Sequence, residues 1–86
     1  MRHMKVLWAI ITEDKKCILR RNDLNEYTLT LLEEEYTPDG HRYRVAVFKD
    51  QLDLDRVKYR LSSGVQKTYE KEQIKLKFTK VLREVS

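Results

Sequence analysis

The sequence contains few of the residues on which enzymes and secreted proteins most often depend. Its 86 residues include one cysteine, one proline, two glycines and two histidines. Two glycines cannot build a glycine-rich phosphate loop, and no Cys/His spacing suits a zinc site. The single cysteine, Cys17, excludes an internal disulfide and is typical of a reducing compartment. We therefore expect a cytoplasmic protein without a metal or cofactor.

Long apolar runs and flexible linkers are also missing. The longest apolar run, Val6 to Ile11, is far shorter than the roughly 20 residues that cross a bilayer, and it lacks the pattern of a secretory signal. We expect no membrane contact. The chain is too short for a second core and shows no repeat or low-complexity segment, so residues 1–86 are predicted to form a single domain.

Catalytic candidates are scarce. His41 is the most credible imidazole, but it lies beside a predicted tight turn, where we expect it to be exposed and not held by an orienting carboxylate. Cys17 lacks a neighbouring base that would activate a thiolate, so we interpret it as a small buried residue. Glu33 to Glu35 alternate in direction on a strand and do not suggest a metal site. The sequence therefore predicts no catalytic residues, no metal ligands and no enzymatic activity.

The most distinct local signal is a hairpin between residues 27 and 48. Tyr27–Leu31 alternates polar and apolar residues, and the segment from His41 to Phe48 does so at its start. Thr37-Pro38-Asp39-Gly40 between them has the composition of a tight turn. A three-residue loop there would place Leu31 opposite Val47 and Glu34 opposite Arg44. One face, predicted to be the core face, then carries Tyr27, Leu29, Leu31, Tyr43, Val45 and Val47.

A second hairpin is predicted at the N-terminus. Met4–Thr12 reads as a central strand, with a buried helical turn as the alternative, and Cys17–Arg20 reads as a strand that pairs back on it. Trp8, which has the chemistry to stack on a base, is more simply a core residue in this run. Residues 20–26 form a polar connection. Asn22 or Asp23 could instead cap a helix, but Thr28 and Thr30 disfavour it.

The C-terminal third predicts two helices. Asp50 or Asp53 can cap a helix in which Leu54, Val57 and Leu61 recur at helical spacing before Gly64. Residues 71–85 carry a helical apolar stripe, formed by Ile74, Phe78, Val81 and Val85. Strands are the alternatives, because residues 57–61 and 74–78 also alternate. The predicted fold is α+β, with an antiparallel sheet of about four strands in two hairpins, followed by two helices packed on one face.

Charge is the main functional signal. The net charge is +4, and residues 51–86 carry nine Lys/Arg against five Asp/Glu, whereas residues 1–50 carry nine of each. Clustered cations beside tyrosines favour RNA or DNA binding through a basic C-terminal surface. The predicted nucleic-acid-binding residues are Arg42, Tyr43, Arg44, Arg56, Lys58, Arg60, Lys67, Lys71 and Lys75. Arg20-Arg21 also has phosphate-binding chemistry, although most such pairs are simply solvated.

The competing interpretation is a protein–protein interaction module. A small inhibitor, antitoxin-like antagonist or adaptor, such as those of phages and mobile elements, would occupy an acidic surface of another protein. The edges of an open sheet offer sites for strand addition, and arginine–tyrosine patches are typical of interface hot spots. Self-association into a homodimer is compatible with either interpretation.

Overall fold

The computed structural model describes residues 3–34, 44–61 and 73–85. Within these ranges it contains five strands and one short helix. The elements are β1 (His3–Thr12), β2 (Cys17–Arg21), β3 (Tyr27–Leu31), β4 (Arg44–Val45), α1 (Leu54–Tyr59) and β5 (Leu76–Val85).

All five strands belong to one antiparallel sheet. The strand order is β3-β2-β1-β5, and β4 pairs with β2 outside this path. β1 and β5 form the longest pairing, which runs from His3 opposite Val85 to Thr12 opposite Leu76. This long two-stranded ribbon contributes to the elongated shape of the molecule, whose extents are 46 × 28 × 22 Å.

The segment that contains β4 fills a gap between β1 and β2. These two strands pair only near their connection, where Ile11 lies opposite Ile18. Further along β2, the Leu19 carbonyl accepts a hydrogen bond from the Ala46 N–H at 3.1 Å. Phe48 then exchanges two backbone hydrogen bonds with Trp8, each 2.8 Å long. The segment that contains β4 thus supplies hydrogen-bond partners to backbone groups of β1 and β2 where these two strands separate.

One face of the sheet, which we call the core face, carries the hydrophobic core. Ile10, Leu19 and Leu29 are almost completely buried there. Val57 of α1, Leu61 and Ile74 cover these strand residues. Because strand side chains alternate, the neighbours Ile11, Thr28 and Thr30 lie on the opposite face, where they are also buried.

The prediction of two helices packed on the sheet is wrong. α1 is six residues long, and the segment from Leu76 to Val85, predicted to be helical, is strand β5. Residues 74–78 satisfy both a helical stripe and a strand alternation. The strand forms because β1 presents ten residues of backbone with which β5 pairs. An open antiparallel sheet, the other part of the prediction, agrees with the structure.

The predicted hairpin between β3 and β4 is also wrong. β3 pairs with β2, with Leu31 opposite Cys17, and β4 pairs with the other edge of β2, with Val45 opposite Arg20. β2 therefore separates the two strands that the prediction joined, and the register of Leu31 with Val47 does not occur. Val45 consequently lies on the face opposite the core. The predicted turn at residues 37–40 lies outside the described residues.

Three other predictions are confirmed. β1 and β2 form the N-terminal hairpin. Cys17 is a buried residue with 1% exposure. Asp53 caps α1, because its side chain accepts a hydrogen bond from the Asp55 N–H at 3.0 Å. Trp8, by contrast, was predicted to be a core residue but is only half-buried, with its ring packed edge-on against Phe78.

In the described part of the chain, no helix has the length and apolar character needed to cross a membrane.

The turn that joins β1 to β2 depends on the buried hydroxyl of Thr12. This hydroxyl donates to Asp14 Oδ1 at 2.6 Å and accepts from the Cys17 N–H at 3.1 Å. Thr12→Val removes both hydrogen bonds while keeping the side-chain shape, so we expect a loss of about 1–3 kcal/mol in the free energy of unfolding. Urea denaturation measures this free energy of unfolding. Thr12→Ser is the control that keeps the hydroxyl, and equal stability of the valine variant would contradict the role of this group.

Candidate nucleic-acid interface

A row of three residues crosses one end of the core face. Arg21 at the end of β2 lies opposite Tyr27 of β3 on one side and opposite Arg44 of β4 on the other. Residues directly opposite each other in antiparallel strands project from the same face. The two arginines are exposed and Tyr27 is half-buried. The row therefore places two guanidinium groups beside one aromatic ring.

A third arginine reaches this row from the helix. Arg60 is the C-cap residue of α1, and its guanidinium carbon lies 5.0 Å from the centroid of the Tyr27 ring. The next residue, Leu61, is buried and forms a parallel bridge with Tyr27. Tyr27 also packs against Phe48, with ring centroids 6.2 Å apart. We call Arg21, Arg44, Arg60 and Tyr27 the arginine site.

A tight turn positions Tyr27 opposite Arg21. The side-chain oxygen of Asn22 accepts hydrogen bonds from the N–H groups of Leu24 and Glu26, both at 2.9 Å. Asn25 adopts a left-handed conformation with φ of 60°. The Asn22 side chain thus competes with helix formation at this point and closes the β2–β3 hairpin instead. The register that follows brings Arg21 and Tyr27 together.

The arginine site concentrates positive charge. Like charges directly opposite each other on neighbouring strands are destabilising, and the pair formed by Arg21 and Arg44 has this arrangement. Among the residues that the structure describes, none of the three guanidinium groups of the site forms an ion pair. A bound anion would remove this repulsion. The site therefore has the electrostatic character of an anion-binding surface.

A second cation and aromatic pair lies on the same face. Lys80 of β5 is opposite Trp8 of β1, and its ammonium nitrogen lies 5.9 Å from the Trp8 ring centroid. Trp8 is joined to the arginine site through Phe48, which pairs with it and contacts Tyr27. Two aromatic rings, each with a cation over it, are thus displayed on the core face.

The structure brings together only some of the predicted site residues. Arg44 and Arg60 belong to the arginine site, and exposed Arg56 lies about one turn before Arg60. Lys58 and Lys75 instead line a cleft of about 260 Å³ whose wall also contains Glu13 and Asp55. This mixture of charges does not favour phosphate. The remaining predicted residues, Arg42, Tyr43, Lys67 and Lys71, lie outside the described residues.

In the described residues, no C-terminal helix carries the predicted basic surface, because Leu76–Val85 is strand β5. Lys75 precedes β5, and strand alternation sends Lys77 and Lys80 to opposite faces of the sheet. Lys77 shares its face with Ile11 and Lys80 shares the core face with Trp8. The basic C-terminal segment thus contributes to two surfaces instead of one.

The sequence interpretation missed Arg21 and Tyr27 as members of a site. The Arg20-Arg21 pair was the available signal, but alternation gives its two members different roles. Arg20 is buried on the opposite face, where its guanidinium donates to the Leu32 carbonyl at 3.4 Å. Arg21 is exposed on the core face. Only the pairing of β4 with β2 shows that Arg44 lies beside it.

The geometry suits a ligand that combines negative charge with flat rings. Guanidinium groups hold phosphate oxygens through charge-assisted, bidentate hydrogen bonds and also stack on planar groups. In the described ranges, no group of three or more His, Cys, Asp and Glu side chains is placed to hold a metal ion. No protein-family model, curated protein or solved structure matches this chain.

Proposed function

We propose that the protein binds nucleic acid, with single-stranded RNA or DNA as the preferred form, through the arginine site. The observation that carries the proposal is the row of Tyr27, Arg21 and Arg44, with Arg60 over the tyrosine ring. Two like charges are held opposite each other at some cost to the fold, which supports a role in binding an anion. The function is non-enzymatic, and Cys17 as the single cysteine favours a cytoplasmic location.

Phosphates and bases would meet different parts of the site. Arg21 and Arg44 are exposed and project together, so they suit two phosphates or one phosphate held from two sides. The Arg60 guanidinium lies over Tyr27, and its outer surface is a plane on which an unpaired base can stack. Trp8 is a second aromatic ring on the same face, and the Lys80 ammonium near it adds a positive charge but no stacking plane. Stacking of this kind requires exposed bases, which supports a single strand over a duplex.

The test is fluorescence anisotropy with short labelled single-stranded RNA, single-stranded DNA and duplex DNA. We expect single strands to bind more tightly than the duplex. The logarithm of the binding constant should fall with the logarithm of salt with a slope of about −1.4, because each of two single-strand phosphate contacts contributes about −0.7. Absence of binding to all three probes at about 50 mM salt would overturn the proposal.

The control removes two positive charges away from the site, as many as the double substitution Arg21→Gln and Arg44→Gln removes within it. Lys15 and Lys16 are exposed residues of the turn between β1 and β2, near Ile18 and at the other end of β2 from Arg21. Arg21 is three residues beyond Ile18, or about 10 Å along the strand. The double substitution Lys15→Gln and Lys16→Gln should leave both the affinity and the salt slope close to those of the unchanged protein.

A protein partner is the second candidate. Arginine and tyrosine are enriched at binding hot spots, and the arginine site would also fit an acidic protein surface. If the anisotropy experiment shows no binding, affinity purification from cells with the Arg21→Gln, Arg44→Gln variant as the control tests this candidate. A partner retained by the unchanged protein and lost by the variant would support it.

A further inference from the structure

The outer edge of β5 is unpaired in the described part of the sheet. β5 is the terminal strand in the order β3-β2-β1-β5, and it is ten residues long. A long edge strand offers a row of backbone donors and acceptors to another strand. From its backbone direction and its charge pattern, we infer that β5 pairs antiparallel with β5 of a second copy of this chain, with Leu82 on the two-fold axis.

The direction of the backbone groups identifies which residues would form the hydrogen bonds. Trp8 directs its N–H and carbonyl to Phe48, away from β5. Alternation along an antiparallel ladder then makes the odd-numbered residues of β1 and β5 the ones that hydrogen-bond to each other. Lys80, Leu82 and Glu84 therefore direct their N–H and carbonyl groups to the outer edge of β5.

The register with Leu82 on the axis matches these groups and their charges. Leu82 lies opposite Leu82 of the second copy, and Lys80 lies opposite Glu84 of the second copy. By symmetry, Glu84 lies opposite the other Lys80. All three residues are exposed, and all have outward backbone groups. This register thus pairs opposite charges on both sides of an apolar centre.

Neighbouring registers lack this complementarity. Placing Lys80 on the axis would oppose two copies of Lys80 and would set Lys77 against Arg83. Placing Arg83 on the axis would oppose two copies of Arg83. With Val81 on the axis, Lys80 would face Leu82 and Glu84 would face Phe78, so no opposite charges would meet. Electrostatics alone therefore selects Leu82 among these choices.

The same register explains why two apolar side chains of the β1–β5 pair are exposed to water in the single chain. Leu82 is 61% exposed, and Val6 beside it on β1 is 44% exposed. In the dimer, the core face would carry an uninterrupted row of Val6 and Leu82 from one copy and Leu82 and Val6 from the other. Cross-strand contact between the two leucines would bury surface that the single chain leaves in water.

The symmetry of the dimer also has a consequence for the arginine site. An antiparallel pair related by a two-fold axis has that axis perpendicular to the sheet, so the core faces of both copies lie on the same side. The two arginine sites would then be presented on one continuous sheet. The inference does not rest on nucleic-acid binding, because it is argued from the backbone direction and charge pattern of β5.

A charge exchange tests the pairing through the molar mass, measured by light scattering after size exclusion without nucleic acid. We expect the unchanged protein to have twice the mass of one chain at micromolar concentration. Glu84→Lys should give single chains, because it sets two lysines opposite each other. Adding Lys80→Glu to that variant should restore the dimer, since positions 80 and 84 of the two copies then again carry opposite charges, with the signs exchanged. A single-chain mass for the unchanged protein would overturn the inference, as would failure of the restoration.

A crosslink tests the register separately. Opposite residues of a hydrogen-bonded antiparallel pair have Cα atoms about 5.5 Å apart, which is within the range that a disulfide bridges. Leu82→Cys should therefore form a covalent dimer under mild oxidation, whereas Thr79→Cys, which would face Val85 of the second copy, should not. Native Cys17 is a buried thiol with 1% exposure, so it does not compete for the crosslink. Crosslinking at position 79 and not at position 82 would overturn the proposed register.

Discussion

The double substitution Arg21→Glu and Arg44→Glu is expected to weaken binding of single-stranded nucleic acid about a hundredfold at about 150 mM salt. Each arginine that meets a phosphate releases counterions, and each glutamate adds repulsion in its place. Circular dichroism should show the same fold, because both side chains are exposed at the end of the sheet. Fluorescence anisotropy across a salt series measures the affinity and the slope.

A neutral version of this change separates binding from stability. Arg21→Gln removes the repulsion with Arg44, so we expect the free energy of unfolding to rise by about 0.2–1 kcal/mol. Affinity should fall several-fold, and the salt slope should become shallower by about 0.7. A structural arginine would instead lose stability when replaced. Unchanged affinity in either arginine variant would exclude the arginine site as the nucleic-acid surface.

The substitution Leu19→Ala is expected to have the largest effect on stability. Leu19 is completely buried in the middle of β2, opposite Leu29. Removing its isopropyl group leaves a cavity, and such changes reduce the free energy of unfolding by about 2–5 kcal/mol. For a domain of this size, the melting temperature should fall by about 10 °C or more. The expected loss is a large part of the stability of a small domain, which is about 5–15 kcal/mol.

The matched control is Leu24→Ala, the same change at a surface position. Leu24 is 78% exposed in the turn before β3, so its replacement should alter stability by less than about 0.5 kcal/mol. Both variants must be unfolded at the same protein concentration as the unchanged protein, because dimer formation would make stability depend on concentration. Equal effects of the two substitutions would contradict the position of Leu19 in the core.

Local sequence patterns predicted correctly the features that are formed by residues close together in the sequence. β1 and β2 are joined by a short polar turn, and the apolar run before it and the shorter strand after it identify both strands. Asp53 caps α1 through a hydrogen bond to the residue two positions later. These features involve residues close in sequence, so propensity and spacing contain the necessary information.

Patterns failed where two structures fit the same residues. Ile74, Phe78 and Val81 have helical spacing, while Leu76 and Phe78 alternate with lysines as in a strand. The ten-residue pairing with β1 decided in favour of the strand, although β1 is more than 60 residues away in sequence. Propensity is a weak determinant when a long partner strand is available. The helix predicted for residues 71–85 was therefore wrong.

The sequence by itself determined the positive charge, the N-terminal hairpin, the cap of α1 and the burial of Cys17. Tertiary structure alone decided that β3 and β4 lie on either side of β2, and with it the meeting of Arg21 with Arg44. A turn signal favours pairing of the strands that flank it, whereas β4 completes the open edge of β2 and the core beneath it. Pairing between distant strands depends on which strand edges still have free backbone N–H and carbonyl groups once the neighbouring strands have paired. Local patterns do not contain that information.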